Sequence, residues 1–312
     1  MEHGFTLRPY RPDLRTDWDT VVRQAKNATF LHLRDFIDYH ADRFDERSLL
    51  VYQDEQAVAA LPCTCHGDTI ISHGGLPYAG LLYGTELRAA EVLAIFDAIG
   101  QHFRAQGIAR FHYKAVPHIY QAYPAEEDGY ALFRHGARLV RRDLSSAIWL
   151  PERLKYATLR NRKIKLGRKS GLTVREFDDF DTFHCLLSEV LAKFDTRPVH
   201  SRDELALLQA RFPDAIRLFG AFADDELLAA TWLFDCGRVV HTQYLASSPS
   251  GRELGALDLL LDTLIERYRE RHYFSFGIST EQAGQYLNEG LIQQKEGFGG
   301  RGVVHDFYDW ML

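Results

Sequence analysis

The sequence predicts a mixed α+β fold of two tandem lobes, each a central, mostly antiparallel mixed sheet flanked by helices. Three observations carry this. Asp54 to Ile70 reads DEQAVAALPCTCHGDTI and Asp224 to Val240 reads DDELLAATWLFDCGRVV, and the two align without a gap 170 residues apart. Each copy has an acidic turn, a strand with a shared Ala-Ala pair (Ala59-Ala60, Ala229-Ala230), a glycine turn at Gly67 or Gly237, and a second strand. Each is then followed by an amphipathic helix and a further strand. The offset is far beyond solenoid periods, so it marks a duplicated domain rather than a repeat array. Finally, 312 residues with 46% hydrophobic content suffice for two cores. The expected division is residues 1–150 and 151–312, with the last strand packing on the first lobe.

In chain order, Trp18, Val21, Val22 and Ala25 form an amphipathic stretch, followed by Phe30, Leu31, Phe36 and Tyr39. Ser48 to Tyr52 opens the first hairpin. SHGGLPYAGLL (72–82) is a Gly/Pro-rich crossing segment. Val92, Ile95, Phe96, Ile99 and Phe103 recur at helical spacing within Glu86 to Phe103, and Ile108 to Val116 reads as a strand stopped by Pro117. Leu154 to Arg175 carries Lys155, Arg160, Arg162, Lys163, Lys165, Arg168 and Lys169, a basic helix ending near Gly171 before the strand Leu172 to Glu176. Its charges are either a solvated face or contacts to a substrate phosphate. Phe180 to Phe194 is a helix, and Ser201-x-x-Glu204 is a capping box that opens another. Ile216 to Phe222, the second hairpin, Val239 to Ala246, the helix Arg252 to Tyr268, the strand Tyr273 to Ile278 and a closing strand over Gly300 to Trp310 complete the chain.

Composition excludes several classes. A formal charge of -6 provides no global basic field for nucleic acid. No apolar run approaches the roughly 20 residues of a membrane span, and the first residues lack the apolar core of a secretion signal. Four scattered cysteines (Cys63, Cys65, Cys185, Cys236) suggest reduced thiols in the cytoplasm, and Cys63-x-Cys65 lacks the second ligand pair of a zinc site, so no metal is expected.

The segment that carries chemistry is strand, loop, helix, strand: HTQYLASS, PSGRELGALD, the helix, then YFSFGIST. Ser250, Gly251 and Gly255 at a helix start would expose backbone N–H donors suited to a diphosphate, an arrangement also common at ordinary strand–helix junctions. On one strand, His241 and Gln243 would share a face, with Thr242 and Tyr244 on the other. His241 is a candidate base or a hydrogen-bonded strand histidine. Tyr244 is a candidate acid or a packing residue. Glu281 follows the next strand at a capping-like Ser279-x-x-Gln282, expected at a helix N-terminus. His200 and His73 sit in loops, and Lys295-Glu296 precedes a glycine-rich turn.

The hairpin, strand, Arg252-x-x-Gly255 loop, helix and strand, in this order, resemble the acyl-CoA-binding core of the GNAT acyltransferases, and two such lobes resemble their tandem, Fem-type branch. SHGGLPYAGLL (72–82), KAVPHIY (114–120), FRHGARLVRRDLSS (133–146), RPVHS (197–201), HTQYLASSPSGRELGALD (241–258) and FGISTEQAGQYLNEGLIQQKEGFGGR (276–301) are similar to bacterial nucleotide-sugar N-acyltransferases of surface-polysaccharide pathways. The resemblance implies an acyl-CoA co-substrate (acetyl-CoA or a 3-hydroxyacyl-CoA) held by Ala246, Ser247, Ser248, Gly251, Arg252 and Gly255. A backbone N–H near Ala246 would polarise the thioester. Leu257 departs from the family's small residue at that loop position. The first lobe has Tyr83-Gly84-Thr85-Glu86 at the equivalent point and would not bind the donor.

The implied acceptor is a nucleotide-linked amino sugar, with His241, Tyr244 and Glu281 as catalytic candidates and His73, Lys114, His200 and Lys295 contacting substrate. A monomer or homodimer is expected. The alternatives are a Fem-like aminoacyl-tRNA-dependent peptidoglycan transferase, which commonly has a long helical arm absent from this sequence, and a non-catalytic glycan-binding protein.

Overall fold

A computed structural model describes residues 4–193 and 195–312; Phe194, expected to close the helix begun at Phe180, lies outside the described residues. The chain separates into two compact units. Unit 1 holds the chain up to Leu144 with Glu281–Tyr286 and Val304–Leu312, and unit 2 holds Ser145–Thr280 and Leu287–Val303.

Unit 1 runs β1 (Phe5–Pro9), α1 (Arg15–Gln24), α2 (Arg34–Ile37), β2 (Asp45–Glu46), β3 (Leu49–Gln53), β4 (Gln56–Leu61), β5 (Thr64–His66), β6 (Thr69–Ile71), β7 (Leu82–Tyr83), α3 (Ala89–Ala105), β8 (Arg110–Lys114), α4 (Glu127–Arg134) and the start of β9 (Arg138–Trp149). Strands β1, β3, β4 and β7 lie side by side, all antiparallel. The predicted stripe on α3 (Val92, Ile95, Phe96, Ile99, Phe103) packs on Phe111, Tyr113, Leu61 and Trp310, a core that α3's 3.6-residue period dictates.

Unit 2 takes the rest of β9, then α5 (Thr158–Lys169), β10 (Thr173–Glu176), α6 (Phe180–Ala192), α7 (Arg202–Arg211), β11 (Ile216–Ala223), β12 (Glu226–Asp235), β13 (Val239–Ser247), α8 (Pro249–Leu254), α9 (Ala256–Arg267) and β14 (Tyr273–Ile278). Then come β15 (Thr280–Glu281), β16 (Tyr286–Leu287), α10 (Glu289–Glu296) and β17 (Arg301–Met311), whose last residues return to unit 1 and pair with β8. The strand order within unit 2 is β10-β11-β12-β13-β14-β9. Leu260, Leu261, Leu264 and Ile265 of α9 bury against Phe219, Ala229, Leu233 and Val240.

The 170-residue offset survives in three dimensions. Val51 opposes Ala59 as Ala221 opposes Ala229, and Leu50 opposes Ala60 as Gly220 opposes Ala230. Both hairpins carry a bulge at the same place, between Val51/Tyr52 and between Ala221/Phe222. Asp54 (φ 48) and Asp224 (φ 50) adopt the same left-handed turn conformation, which Asp tolerates better than most residues. Shared bulges are designed features of a strand pair, so the two hairpins are one structural unit used twice.

The structure departs from the sequence reading in three places. Arg252 to Tyr268 is not one helix: Gly255 is left-handed (φ 77) and splits it into α8 and α9. The basic helix is shorter than its segment, Thr158–Lys169. Ser279-x-x-Gln282 opens no helix; Gln282, Ala283 and Gly284 all have positive φ and form a turn after β15.

Candidate functional site

Strands β13 and β14 of unit 2 run parallel for three rungs only, Val239↔Tyr273, Val240↔Phe274 and His241↔Ser275. Beyond them β13 continues to Ser247 with β12 as its partner, and β14 turns to β9, so the two strands part as a fork. Each strand is bulged just past the last rung. On β13, Tyr244 opposes Trp232 and Thr242 opposes Leu233, which leaves Gln243 as the extra residue. On β14, Ser275 opposes Ala147 and Ile278 opposes Ser145, and the bulge contains Gly277 at φ 75. Bulges add twist and bend their strand, so two of them side by side open the fork. Lys295 of α10 fixes the second bulge: its buried ammonium donates to Gly277 O (2.8 Å) and Ile278 O (2.6 Å). Burial pulls its pKa down to about 8.

His241 stands at the fork itself, with Nδ1 3.2 Å from Ser275 Oγ. Simple alternation puts Tyr244 on the face opposite to His241. The Gln243 bulge reverses this: His241 opposes Phe234 and Tyr244 opposes Trp232, two residues of β12 that share a face. The Tyr244 hydroxyl is 2.8 Å from His200 Nδ1, and both rings flank Trp232 (centroids 6.1 Å and 5.2 Å). His200 is buried, held beside the Ser201 cap of α7. Burial raises the Tyr244 pKa, so the phenol is neutral at ordinary pH.

On the other face of β13, Leu245 and Ser247 border a cavity of about 690 Å³. Leu159, Arg160 and Lys163 of α5, Arg252, Leu257 and Asp258, and Leu291 of α10 complete most of its wall, giving a cationic end and an apolar end. Its size suits a small-molecule ligand.

The loop expected to cradle a diphosphate is largely occupied by the protein itself. Ser248 Oγ accepts the Gly251 N–H (3.0 Å), and Ser247 Oγ faces Leu228 O (3.4 Å). A Cβ on Gly251 would lie 2.2 Å from Leu228 O, and one on Gly255 2.3 Å from Lys163 O. Both glycines are therefore demanded by backbone packing on β12 and α5. Lys163 Nζ caps α8 through Arg252 O (2.9 Å) and Glu253 O (3.2 Å). The N-terminus of α9 already has its anion, Asp258, ion-paired to Arg160 at 2.8 Å. Arg252, exposed, donates to Ser247 O (2.8 Å), and Ala246 is buried opposite Ala230.

The first lobe has the same fork, closed. β6 and β8 pair in parallel through Thr69↔Arg110, Ile70↔Phe111 and Ile71↔His112, three rungs at the same offset on the first strand. There the segment 72–80 fills the gap. Lys114, expected at the substrate, donates from Nζ to the carbonyls of His73 (2.7 Å) and Leu76. Ala79 N–H returns to Lys114 O (3.1 Å). His73 (φ 44) is buried, and burial holds its imidazole far below its usual pKa, so it is neutral. Glu281, exposed in β15, belongs to unit 1, whereas His241, Tyr244, His200 and Lys295 belong to unit 2.

The sequence reading missed the Gln243 bulge, Ser275, Gly277, the Arg160–Asp258 pair and the α10 wall. Gly277 inside a strand was the one legible sign of a bulge. Among the described residues, no helix is long and apolar enough to cross a membrane, and no group of three or more His, Cys, Asp or Glu side chains is placed to hold a metal ion.

Residues 154–286 match the family model of an acetyltransferase (GNAT) domain. Three solved structures resemble the whole chain. FemX aligns with TM-score 0.69 at 12% identity over 98% of this chain and 97% of its own. L-PGS from Bacillus licheniformis gives 0.65 at 11% identity over 97% and 93%. A tandem GNAT protein from the clavulanic acid biosynthesis pathway gives 0.52 at 12% identity over 98% of each. No curated protein matches the sequence. The fold is thus mixed α+β and GNAT-like, as the sequence predicts, with a tandem GNAT protein among its structural neighbours.

Proposed function

We propose that the chain is an N-acyltransferase that moves an acyl group from acyl-CoA to the amine of a nucleotide-linked amino sugar for surface-polysaccharide synthesis, in the cytoplasm. The observation that carries this reading is the open fork of unit 2. A parted strand pair leaves the β13 edge from Thr242 to Ser247 without β14 as a partner. An acyl arm laid there can give its carbonyl oxygen a backbone N–H, the fixed donor that a developing oxyanion needs. The cavity along Leu245 and Ser247 would hold the rest of the donor, its cationic end (Arg160, Lys163, Arg252) meeting phosphates. With the α9 N-terminus filled by Asp258, exposed Arg252 is the first contact for the diphosphate.

In the reaction the amine nitrogen bonds to the thioester carbonyl carbon, and its proton passes to His241 at the fork. The C–S bond then breaks and the departing thiolate takes that proton, which leaves amide and free thiol. Tyr244 and His200 hold the loop over Trp232 and so fix the face on which His241 works. The amino-sugar acceptor rests on the resemblance of the quoted segments.

A second reading takes an aminoacyl ester of tRNA as donor. The seating of α5 on Gly255 favours it, because that contact leaves little of a diphosphate cradle. The outer face of α5 adds exposed Arg162, Lys165 and Lys169 for an RNA backbone.

Calorimetry with acetyl-CoA and longer acyl-CoAs, alongside filter binding of aminoacyl-tRNA, separates the two. Leu291 is 38% exposed on the cavity wall, so Leu291→Trp fills the cavity without touching the core. Saturable CoA binding, weakened at least about tenfold in that variant, supports the proposal. Binding of aminoacyl-tRNA alone replaces it with the second reading, and binding of neither leaves a non-catalytic protein.

A further inference from the structure

The last parallel rung of the open fork pairs His241 with Ser275, and their side chains meet, Nδ1 lying 3.2 Å from Oγ. The same Ser275 oxygen accepts the Gly277 N–H (3.4 Å), and the Ser275 carbonyl accepts Thr242 Oγ1 (3.3 Å). Ser275 is fully buried, whereas His241 is half-buried. The serine is therefore a fixed part of the sheet, and the imidazole it touches is the partner with access to the fork.

Gly277 shapes the other side of the ring. A Cβ there would lie 3.3 Å from His241 Cε1 and 3.9 Å from Nε2, and the φ of 75 disfavours any side chain. The ring edge carrying Cε1 and Nε2 thus lies on bare backbone, which Lys295 fixes through Gly277 O (2.8 Å). An imidazole gripped at Nδ1 and seated along Cε1 is held in one orientation. The closed fork of the first lobe lacks this pair. At the duplicated offset Ile71 stands in the place of His241, opposite His112, and His112 turns to Asp309 (2.7 Å).

We infer that Ser275 is a positioning residue of the transfer: its hydroxyl accepts the Nδ1–H of His241 and so presents Nε2 as the basic nitrogen. The inference rests on His241 being the base of the proposed reaction. A hydroxyl has two lone pairs and one proton, so two arrangements satisfy the 3.2 Å contact. With Ser275 donating to Nδ1, the ring hydrogen would sit on Nε2, and the amine would meet a donor instead of a base. With Nδ1–H donating, the two lone pairs of Oγ take the N–H groups of His241 and Gly277. Nε2 then takes the amine proton as the nitrogen bonds to the thioester carbon, and returns it to the departing thiolate. A histidine whose tautomer is set by the bond its other nitrogen makes is a general device of acid–base chemistry.

The test is nitrogen NMR of the full chain carrying nitrogen-15 histidine, at about pH 8.5, above the ordinary imidazole range. His241 is assigned by the signals lost in His241→Gln. In the wild type, Nδ1 is expected at the shift of a protonated nitrogen and Nε2 at that of an unprotonated one. Ser275→Ala should move the ring hydrogen to Nε2, because a buried Nδ1–H without an acceptor is costly. Ser275→Thr keeps the hydroxyl and should keep the wild-type pattern. Ser275→Ala adds no atom to the sheet, and unchanged melting would show that it folds. With acetyl-CoA and UDP-glucosamine as probe substrates, thiol release by Ser275→Ala should fall on the order of tenfold to a hundredfold in kcat, with KM for acetyl-CoA unchanged. Nε2–H in the wild type, or an unchanged tautomer in Ser275→Ala, overturns the inference. So does an unchanged kcat in Ser275→Ala. A wild type with the Nδ1–H tautomer and no turnover supports the contact at Ser275 and tells against the acyl-CoA reading instead.

Discussion

Replacing Lys295 by methionine tests whether the fork is held open by a buried ammonium. Nζ donates to two carbonyls of the β14 bulge, and burial brings its pKa to about 8 from an ordinary 10.5. A folded pKa below the unfolded one means that the folded state sheds its proton first. Between pH 8 and 10.5 the unfolded chain therefore binds more protons than the folded one, and stability rises with pH. The shift of about 2.5 units corresponds to about 3 kcal/mol, absent below pH 8 and fully gained near 10.5. Methionine has no proton to lose. At neutral pH it removes the burial cost of the charge but orphans two carbonyls, at about 1–3 kcal/mol each, so a net destabilisation of about 0–3 kcal/mol is expected. The decisive quantity is the difference between wild type and Lys295→Met. It should widen by about 3 kcal/mol between pH 8 and 10.5, while the similar contribution of Lys114 is common to both and cancels. Urea unfolding followed by fluorescence at half-unit pH steps measures it. Parallel pH profiles would refute the assignment of Lys295 as a charge buried on the bulge.

Two further outcomes follow from the same physics. Asp128, fully buried under Tyr113 (2.6 Å), has a pKa raised to about 6 from 3.8 because burial disfavours its charge. The folded state holds this proton longer, so stability is highest below pH 4 with respect to this group and falls by about 3 kcal/mol up to pH 6; Asp128→Asn should flatten that limb of the unfolding profile. Gly255→Ala and Gly237→Ala both place a side chain at positive φ, but only at Gly255 does the new Cβ meet backbone, at 2.3 Å from Lys163 O. Melting experiments should show Gly237→Ala costing about 1–2 kcal/mol and Gly255→Ala at least about 2 kcal/mol more; equal costs would mean that α5 is not seated on the loop.

Much of the fold is legible in the sequence because its strongest signals are local. The Ala-Ala strands, the Asp turns and the α3 stripe each follow from side-chain period and turn chemistry, and neighbouring residues decide them. The site is less legible because its geometry depends on register. A single extra residue, Gln243, moves Tyr244 onto the face of His241, and alternation cannot announce it. Gly251 and Gly255 illustrate a second limit. A glycine that admits a phosphate and one that admits a neighbouring backbone have the same letter, and only the position of Leu228 and Lys163 tells them apart. Lys114 and Lys295 carry the third. Both are buried lysines that donate to backbone carbonyls, and no pattern in the sequence marks a lysine as facing inward.

Those two lysines also show how a duplicated unit diverges. Each lobe has three parallel rungs and then a parting of strands, and in each a lysine donates to carbonyls beside the gap. In the first lobe Lys114 ties down the segment 72–80, whose glycines pack closely: a Cβ on Gly75 would fall 1.9 Å from His40 Nε2. That gap is filled by the chain itself, with neutral His73 and the Leu76 carbonyl as its lining. In the second lobe Lys295 ties down only the bulge of β14, and the β13 edge stays without a β14 partner. One inherited opening has thus become core, and the other has been kept as space. Keeping it leaves backbone donors of β13 without the strand partner that their counterparts in a closed sheet would have, a cost that selection for stability alone would remove. Under the proposed function, the carbonyl of an acyl donor laid at that edge would supply the missing acceptor, a role that the closed first fork has no room for.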